Sequence, residues 1–209
     1  MNKRNFWLIA VPLILFAMLA ICVRARITVN FEGWAYNESI EHMSPIYTKI
    51  VKGITHIGDS TVLITFCLLL IAIPKSRKTI ALPIPVAVIL SMILDVALKS
   101  IFTRERPNIL RLINETSYSF PSGHAMNNAA LYTILVLLIF KFIKNKPIKT
   151  ALTAVCITLT FAIGYSRIYL GVHYAGDVLG GWLLGSAISI FIYLTWNRKF
   201  GFVNERATQ

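Results

Sequence analysis

Residues 6–23 contain no charged side chain, and five further stretches of the chain are similarly apolar. A helix needs ~20 apolar residues to cross a bilayer, and there its backbone polar groups must be satisfied within the segment. The expected spans are residues 6–23, 60–73, 80–98, 125–143, 150–166 and 175–196 of a 209-residue chain. The second is short and must borrow residues from Ile54 onward. The first starts like a signal peptide, but Arg24 and Arg26 follow it without a small-residue cleavage site, so it reads as an uncleaved span. The chain is 56% apolar and 14% charged, whereas soluble domains carry about 25% charged residues. The expectation is an all-α integral membrane protein: one membrane-embedded domain over residues 1–209, six transmembrane helices and a helical-bundle core.

The formal charge is +12, from 21 Lys and Arg against 9 Asp and Glu. No basic stripe with interleaved aromatics marks a nucleic-acid groove, so no nucleic-acid partner is expected. Instead the cations orient the spans. Lys3 and Arg4, then Lys75, Arg77 and Lys78, then Lys141, Lys144, Lys146 and Lys149, and finally Arg198 and Lys199 all fall on one side of a six-span chain. The positive-inside rule makes that side cytoplasmic, with both termini on it. Connections 24–59, 99–124 and 167–174 then face outward. Cys22, Cys67 and Cys156 lie in apolar runs without metal-ligand spacing and read as small packing residues.

The first outer connection is long for a bare loop. Ser44-Pro45 is a helix-start signal, and Ile46, Ile50, Val51 and Ile54 share one helical face. Residues 35–57 are therefore expected to form one or two amphipathic interfacial helices between spans one and two. Gly176, Gly180, Gly181 and Gly185 in span six suit close helix packing within the bundle. Pro83 and Pro85 are expected to bend span three.

Outside the basic connections, polar residues collect at the end of span three (Lys99, Arg104, Arg106), the start of span four (Ser122, Gly123, His124), the end of span five (Ser166, Arg167) and the start of span six (His173, Asp177). Alternating topology brings these four ends to the same outer face. Charges beside hydrocarbon are costly, so their grouping indicates a polar cavity. Lys99, Arg106 and Arg167 supply cations suited to phosphate oxygens. The Ser122-Gly123 turn adds backbone N–H groups and the positive end of a helix dipole. If span six begins near His173, Asp177 sits one turn away. Its carboxylate can then accept the imidazole Nδ1–H and leave Nε2 free to attack. His124 could protonate the leaving oxygen. One histidine must start neutral and the other charged, so the rate should have a bell-shaped pH dependence. Excess positive charge argues against a metal, and no cofactor is expected. Asp95 could pair with Lys99. Thr103, Arg104, Glu105, Arg111, Glu115 and Tyr118 read as ordinary outer-loop residues, and His56 and Asp59 as interfacial helix-end groups.

Three motifs carry a resemblance. Lys99 is followed after six residues by Arg106-Pro107; Pro121-Ser122-Gly123-His124 comes next; Ser166-Arg167 is followed after five residues by His173 and after three more by Asp177. Together they resemble the signature of the type-2 phosphatidic acid phosphatase superfamily, most similar to its bacterial phosphatidylglycerophosphatase B-like membrane enzymes. The motif block covers residues 99–177. The resemblance implies a metal-independent phosphatase acting on a membrane lipid phosphate: phosphatidylglycerol phosphate, phosphatidic acid or undecaprenyl pyrophosphate. It implies His173 as nucleophile forming a phosphohistidine, Asp177 as its orienting partner and His124 as general acid and then base. Lys99, Arg106, Ser122, Gly123 and Arg167 would bind phosphate. A lipid phosphotransferase with the same site and a non-catalytic lipid-phosphate binding or transport protein are the alternatives. The motifs do not select one physiological lipid, nor an oligomeric state.

Overall fold

The computed structural model describes residues 3–73 and 81–200, and the described residues form helices joined by turns and loops without strands. In chain order the helices are α1 (Lys3–Arg24), α2 (Val29–Ile40), α3 (Pro45–Ile57), α4 (Ser60–Ala72), α5 (Pro83–Phe102), α6 (Gly123–Phe142), α7 (Lys146–Tyr169) and α8 (Ala175–Phe200). Five of them, α1, α5, α6, α7 and α8, are each long and apolar enough to cross a bilayer. Helices α3 and α4 reach that length only as a pair, bent by 42°. Taken together as one broken span, the pair is the second span in chain order and brings the number to six; residues 60–73 alone are too short. Lys75, Arg77 and Lys78 lie outside the described residues, as does the expected start of span three at Ile80.

Local chemistry sets the helix ends. Ser44 is extended and its hydroxyl accepts the N–H of Tyr47, with Pro45 in the first turn of α3. This is the start the sequence signals. The interfacial segment begins earlier than expected, with α2 at Val29. Val51 of α3 is buried against Tyr169 and Leu170, while Ile46 and Ile50 remain exposed on the outer face. Pro83 and Pro85 open α5 and do not bend it. The first-turn N–H groups of a helix have no intrahelical partner, so proline costs nothing there.

Helices α6 and α8 form the central seam. A Cβ on Gly181 would come within 2.8 Å of the Ser122 carbonyl oxygen, and one on Gly185 would overlap that of Met126. The small residues of span six thus serve contact inside the bundle. Ser189 donates from α8 to the Ala130 carbonyl oxygen, and buried Ser91 of α5 donates to Asn127 of α6 at 2.7 Å. Apolar side chains such as Trp7, Met18, Ile93 and Val96 point outward from α1 and α5, as helices facing lipid tails require. The C-terminal ends of α5 and α7 and the N-terminal ends of α6 and α8 meet at one side of the bundle, with Lys141, Lys146 and Arg198 at the opposite ends.

Candidate active site

Lys99 stands in the last turn of α5, where its ammonium donates to both oxygens of Asp95, at 2.9 and 2.7 Å. The expected Asp95–Lys99 pair is therefore present. Thr103 then adopts a left-handed conformation (φ 45°), and its N–H closes the helix onto the Lys99 carbonyl oxygen. Such a φ is uncommon outside glycine. It turns the chain back over the bundle end and brings Arg104 and Arg106 across it.

Arg106 is buried. Its Nε donates to the Ser117 carbonyl oxygen at 2.7 Å, and Nη2 to the Ser117 hydroxyl at 3.0 Å. Nη1 donates to the Val172 carbonyl oxygen at 2.8 Å and lies 3.2 Å from His173 Nε2. An arginine can only donate, so Nε2 is the acceptor and the imidazole proton sits on Nδ1. Burial, followed by the charges of Arg106, Arg167 and Lys99, holds His173 well below the ordinary imidazole value. The ring is neutral, with its Nε2 lone pair directed at the cations.

His173 belongs to the turn between α7 and α8. Gly171 in that turn has φ +70°, and a Cβ there would overlap the Leu110 carbonyl oxygen. Leu112 N–H in turn donates to the Leu170 carbonyl oxygen at 3.0 Å. The loop after Arg106 thereby grips the turn that carries His173.

His173 and Asp177 meet as i,i+4 neighbours, at a contact longer than the expected hydrogen bond. Helix α8 begins at Ala175, so His173 lies just before it. Asp177 occupies the third helical position, and its Oδ2 accepts the Tyr174 N–H at 2.9 Å, the return arm of a capping box. Ser119 also donates to Oδ2, at 2.5 Å. Nδ1 of His173 is left 3.5 Å from Oδ2 and 3.4 Å from the Ser119 hydroxyl. Both exceed an ordinary hydrogen bond. The ring nitrogen thus faces the bonded Ser119–Asp177 pair, about equally far from each.

Arg104, read from sequence as an ordinary loop residue, donates to Asp177 Oδ1 at 2.5 Å and to Glu32 Oε2 at 2.6 Å. Its guanidinium lies 4.0 Å over the Tyr174 ring. Burial lowers its pKa, but Asp177 and Glu32 outweigh this and leave it raised. Glu115 was read the same way. Its carboxylate pairs with Arg167 and lies 3.6 Å from Arg106 Nη2. Burial would raise the Glu115 pKa, but Arg167 and Arg106 pull it below its ordinary value, so the carboxylate is anionic. Arg167 is 1% exposed, and its Nη1 donates to Thr55 at 2.9 Å.

Nε of Arg167 and the hydroxyl of Ser122 are among the buried donors without a hydrogen-bond partner in the described residues. A phosphate oxygen could accept from each. Ser122 precedes α6, and Gly123 opens it beside the Lys99–Asp95 pair. His124 Nε2 is 2.9 Å from Asp59 Oδ1, and Asp59 Oδ2 is 2.9 Å from His56 Nδ1. Asp59 is therefore tied to the site and is not merely an interfacial helix-end group.

The structure gathers Lys99, Arg106, Ser122, Gly123, His124, Arg167, His173 and Asp177 at one end of the bundle. Sequence reasoning missed Ser119 and Glu32 and undervalued Asp59, Arg104 and Glu115. One signal was available: five of the chain's nine acidic residues, namely Glu32, Asp59, Asp95, Glu115 and Asp177, pair with cations or histidines here. Among the described residues no group of His, Cys, Asp and Glu is arranged to hold a metal ion. A cavity of about 470 Å³ opens beside Lys99 and Ser117 past Val96, a lipid-facing residue. A larger one of about 760 Å³ lies beside His173 and includes Arg104, Glu32 and Tyr174, but not Lys99, Arg106 or Arg167.

The chain is similar in sequence and fold to known proteins. The phosphatidylglycerophosphatase B of Bacillus subtilis (strain 168) is 31% identical over 176 residues, covering 81% of this chain and 85% of that protein. The undecaprenyl-diphosphatase of Sulfolobus acidocaldarius is 28% identical over 198 residues, covering 90% of each. The crystal structure of the transmembrane PAP2 type phosphatidylglycerolphosphate phosphatase from Bacillus subtilis superposes with a TM-score of 0.85 at 25% identity, over 94% of this chain and all of that one. Aquifex aeolicus LpxE superposes with a TM-score of 0.64 at 26% identity, over 76% of this chain and 92% of that one. The PAP2 superfamily pattern matches residues 80–200, the segment that supplies His124, His173 and the buried cations around them, and this membrane phosphatase belongs to that superfamily.

Proposed function

We propose that this enzyme releases inorganic phosphate from a lipid phosphomonoester or diphosphate through a phosphohistidine on His173. The observation that carries the reading is the neutral imidazole of His173, its Nε2 facing Arg106 at 3.2 Å within a set of buried cations. Binding alone does not require a desolvated nucleophile there.

In the first step His173 Nε2 attacks phosphorus and the bond to the lipid oxygen breaks. Protonated His124 gives its proton to that oxygen. Nδ1–H of His173 remains, and the positive charge that develops on the ring is met by the Asp177 carboxylate 3.5 Å away. In the second step neutral His124 takes a proton from water, the water oxygen bonds phosphorus, and the P–N bond breaks to return neutral His173. Lys99, Arg106 and Arg167, with the Ser122 hydroxyl and the first turn of α6, hold the transferring group. Its charge is spread over three equatorial oxygens, which fixed cations and N–H donors stabilise.

The names of the relatives favour phosphatidylglycerol phosphate or undecaprenyl diphosphate as substrate, with phosphatidic acid as a further candidate. The cavity past Val96 supports lateral access from the bilayer, with acyl chains remaining in lipid. The basic helix ends opposite the site support both termini in the cytoplasm and the site at the extracytoplasmic surface.

The test is phosphate release by purified protein from a panel of lipid phosphates, with His173→Ala as control. Wild-type protein should release phosphate without a lipid acceptor and carry an acid-labile phosphoryl label on His173. Turnover surviving in His173→Ala would overturn the mechanism, and strict dependence on an acceptor lipid would make the enzyme a transferase.

A further inference from the structure

The second span breaks at Gly58-Asp59, between α3 and α4. Asp59 has the extended backbone of an N-cap residue, but its side chain makes no capping bond to α4. A helix start ordinarily uses such a carboxylate to accept from its own orphan N–H groups. Here the two oxygens are directed elsewhere, Oδ1 to His124 Nε2 and Oδ2 to His56 Nδ1, each at 2.9 Å. The break is docked against the same turn of α6. Buried Asn128 donates to the Gly58 carbonyl oxygen at 3.0 Å and to the His124 carbonyl oxygen at 2.9 Å. One side chain therefore fixes the backbone beside Asp59 relative to the backbone of His124.

We propose that Asp59 is the positioning residue for His124, accepting its Nε2–H and leaving Nδ1 as the nitrogen that exchanges the proton with the leaving oxygen and then with water. The inference rests on the phosphatase mechanism above and adds a residue outside its three motifs. His124 needs such a partner. Glu115, the other carboxylate that acts on its charge, is paired with Arg167. Asp59 is the carboxylate bonded to the ring itself. With the Nε2 proton fixed on Asp59, neutral His124 presents a lone pair at Nδ1 and charged His124 presents a proton there. The same atom thus serves both half-reactions without a ring flip, and Asp59 never needs to accept the proton itself. His56, whose side chain is 72% exposed, holds the second carboxylate oxygen from the solvent side.

The test compares two substrates with different needs for an acid. A lipid alkyl phosphate needs its leaving oxygen protonated, whereas p-nitrophenyl phosphate loses an anion that is stable unprotonated. Asp59→Asn should lower kcat on the lipid phosphate on the order of 10- to 100-fold, with KM changed less than about threefold and p-nitrophenyl phosphate hydrolysis reduced far less. Added to His124→Ala, it should cost less than about twofold further, because its effect passes through that ring. Asp59→Glu, which keeps the charge, should recover part of the lost rate. Equal fractional losses on both substrates, or additive losses with His124→Ala, would make Asp59 merely structural and overturn the proposal. Should Asp59→Asn fail to fold, Asp59→Glu on the same substrate pair decides, since a displaced carboxylate must also penalise the lipid phosphate selectively. A wild-type protein inactive on every lipid phosphate would sink the phosphatase mechanism, whereas a fully active Asp59→Asn variant would sink this proposal alone.

Discussion

Arg106 Nη1 lies 3.2 Å from His173 Nε2 and, through the same nitrogen, is anchored 2.8 Å from the Val172 carbonyl oxygen. The cation is fixed to the backbone of the turn that carries the ring, so it follows the ring. A proton arriving at Nε2 would meet it, and Arg167 and Lys99 behind it. The acid limb of a kcat/KM profile should therefore fall below the ordinary imidazole value of ~6.5. The sign follows from the charge: a lowered pKa means that His173 stays neutral, and attacking, to more acidic pH. A profile of phosphate release from pH 4 to 9 checks this, and an acid limb above about 6.5 would contradict it.

Ser119 donates to Asp177 Oδ2 beside the His173 ring without being part of the three motifs. Ser119→Ala should remove the bond that holds Oδ2 in place facing Nδ1 while leaving Arg104 and the Tyr174 N–H on the carboxylate. Losing one such bond is worth about 1–1.5 kcal/mol, so kcat should fall roughly tenfold with little change in KM. Steady-state kinetics of the purified variant measures it, and an unchanged kcat would show that the ring needs no such bond.

Glu115 holds the cations that a phosphate would bind. Its lowered pKa keeps the carboxylate charged at neutral pH, so an incoming anion must displace it from Arg167. Glu115→Gln removes that competition. Inorganic phosphate should then inhibit more strongly, with a Ki several-fold lower than that of the wild-type enzyme. Weaker inhibition in the variant would mean that Glu115 orders Arg167 for binding more than it competes.

Gly171 combines a left-handed backbone with a near-overlapping Leu110 carbonyl oxygen. Gly171→Ala should cost about 1–2 kcal/mol for the backbone alone, and more for the displaced 110–112 segment. Thermal unfolding in detergent should show a lower Tm, with kcat falling as the His173 turn shifts.

The motif residues were legible because their spacing is local to single helix ends: Lys99 and Arg106 across one turn, Ser122 to His124 in one cap. The amphipathic start at Ser44-Pro45 was legible for the same reason. What could not be read was partnership between elements. Nothing near Asp59 in the sequence indicates that the second span breaks there and turns its carboxylate toward α6. Nothing near Glu32 indicates that α2 reaches Arg104 at 2.6 Å. The His173–Asp177 proximity was legible from the four-residue spacing, but the Tyr174 N–H and Ser119 bonds that also occupy Oδ2 were not. Pro83 and Pro85 were misread as a bend because nothing in the composition of residues 80–98 marks where the first turn lies.

The α6–α8 seam, closed at Gly181 and Gly185, joins the helix that begins with His124 to the helix that directly follows His173. In a thicker or thinner membrane these two rods must tilt together, so the separation of the two imidazoles is insulated from mismatch with the surrounding lipid. The elbow at residues 58–59 meets α6 through side-chain bonds, Asn128 to Gly58 and Asp59 to His124, so a change in acyl-chain length that moves the elbow should register in the orientation of His124 before it reaches His173.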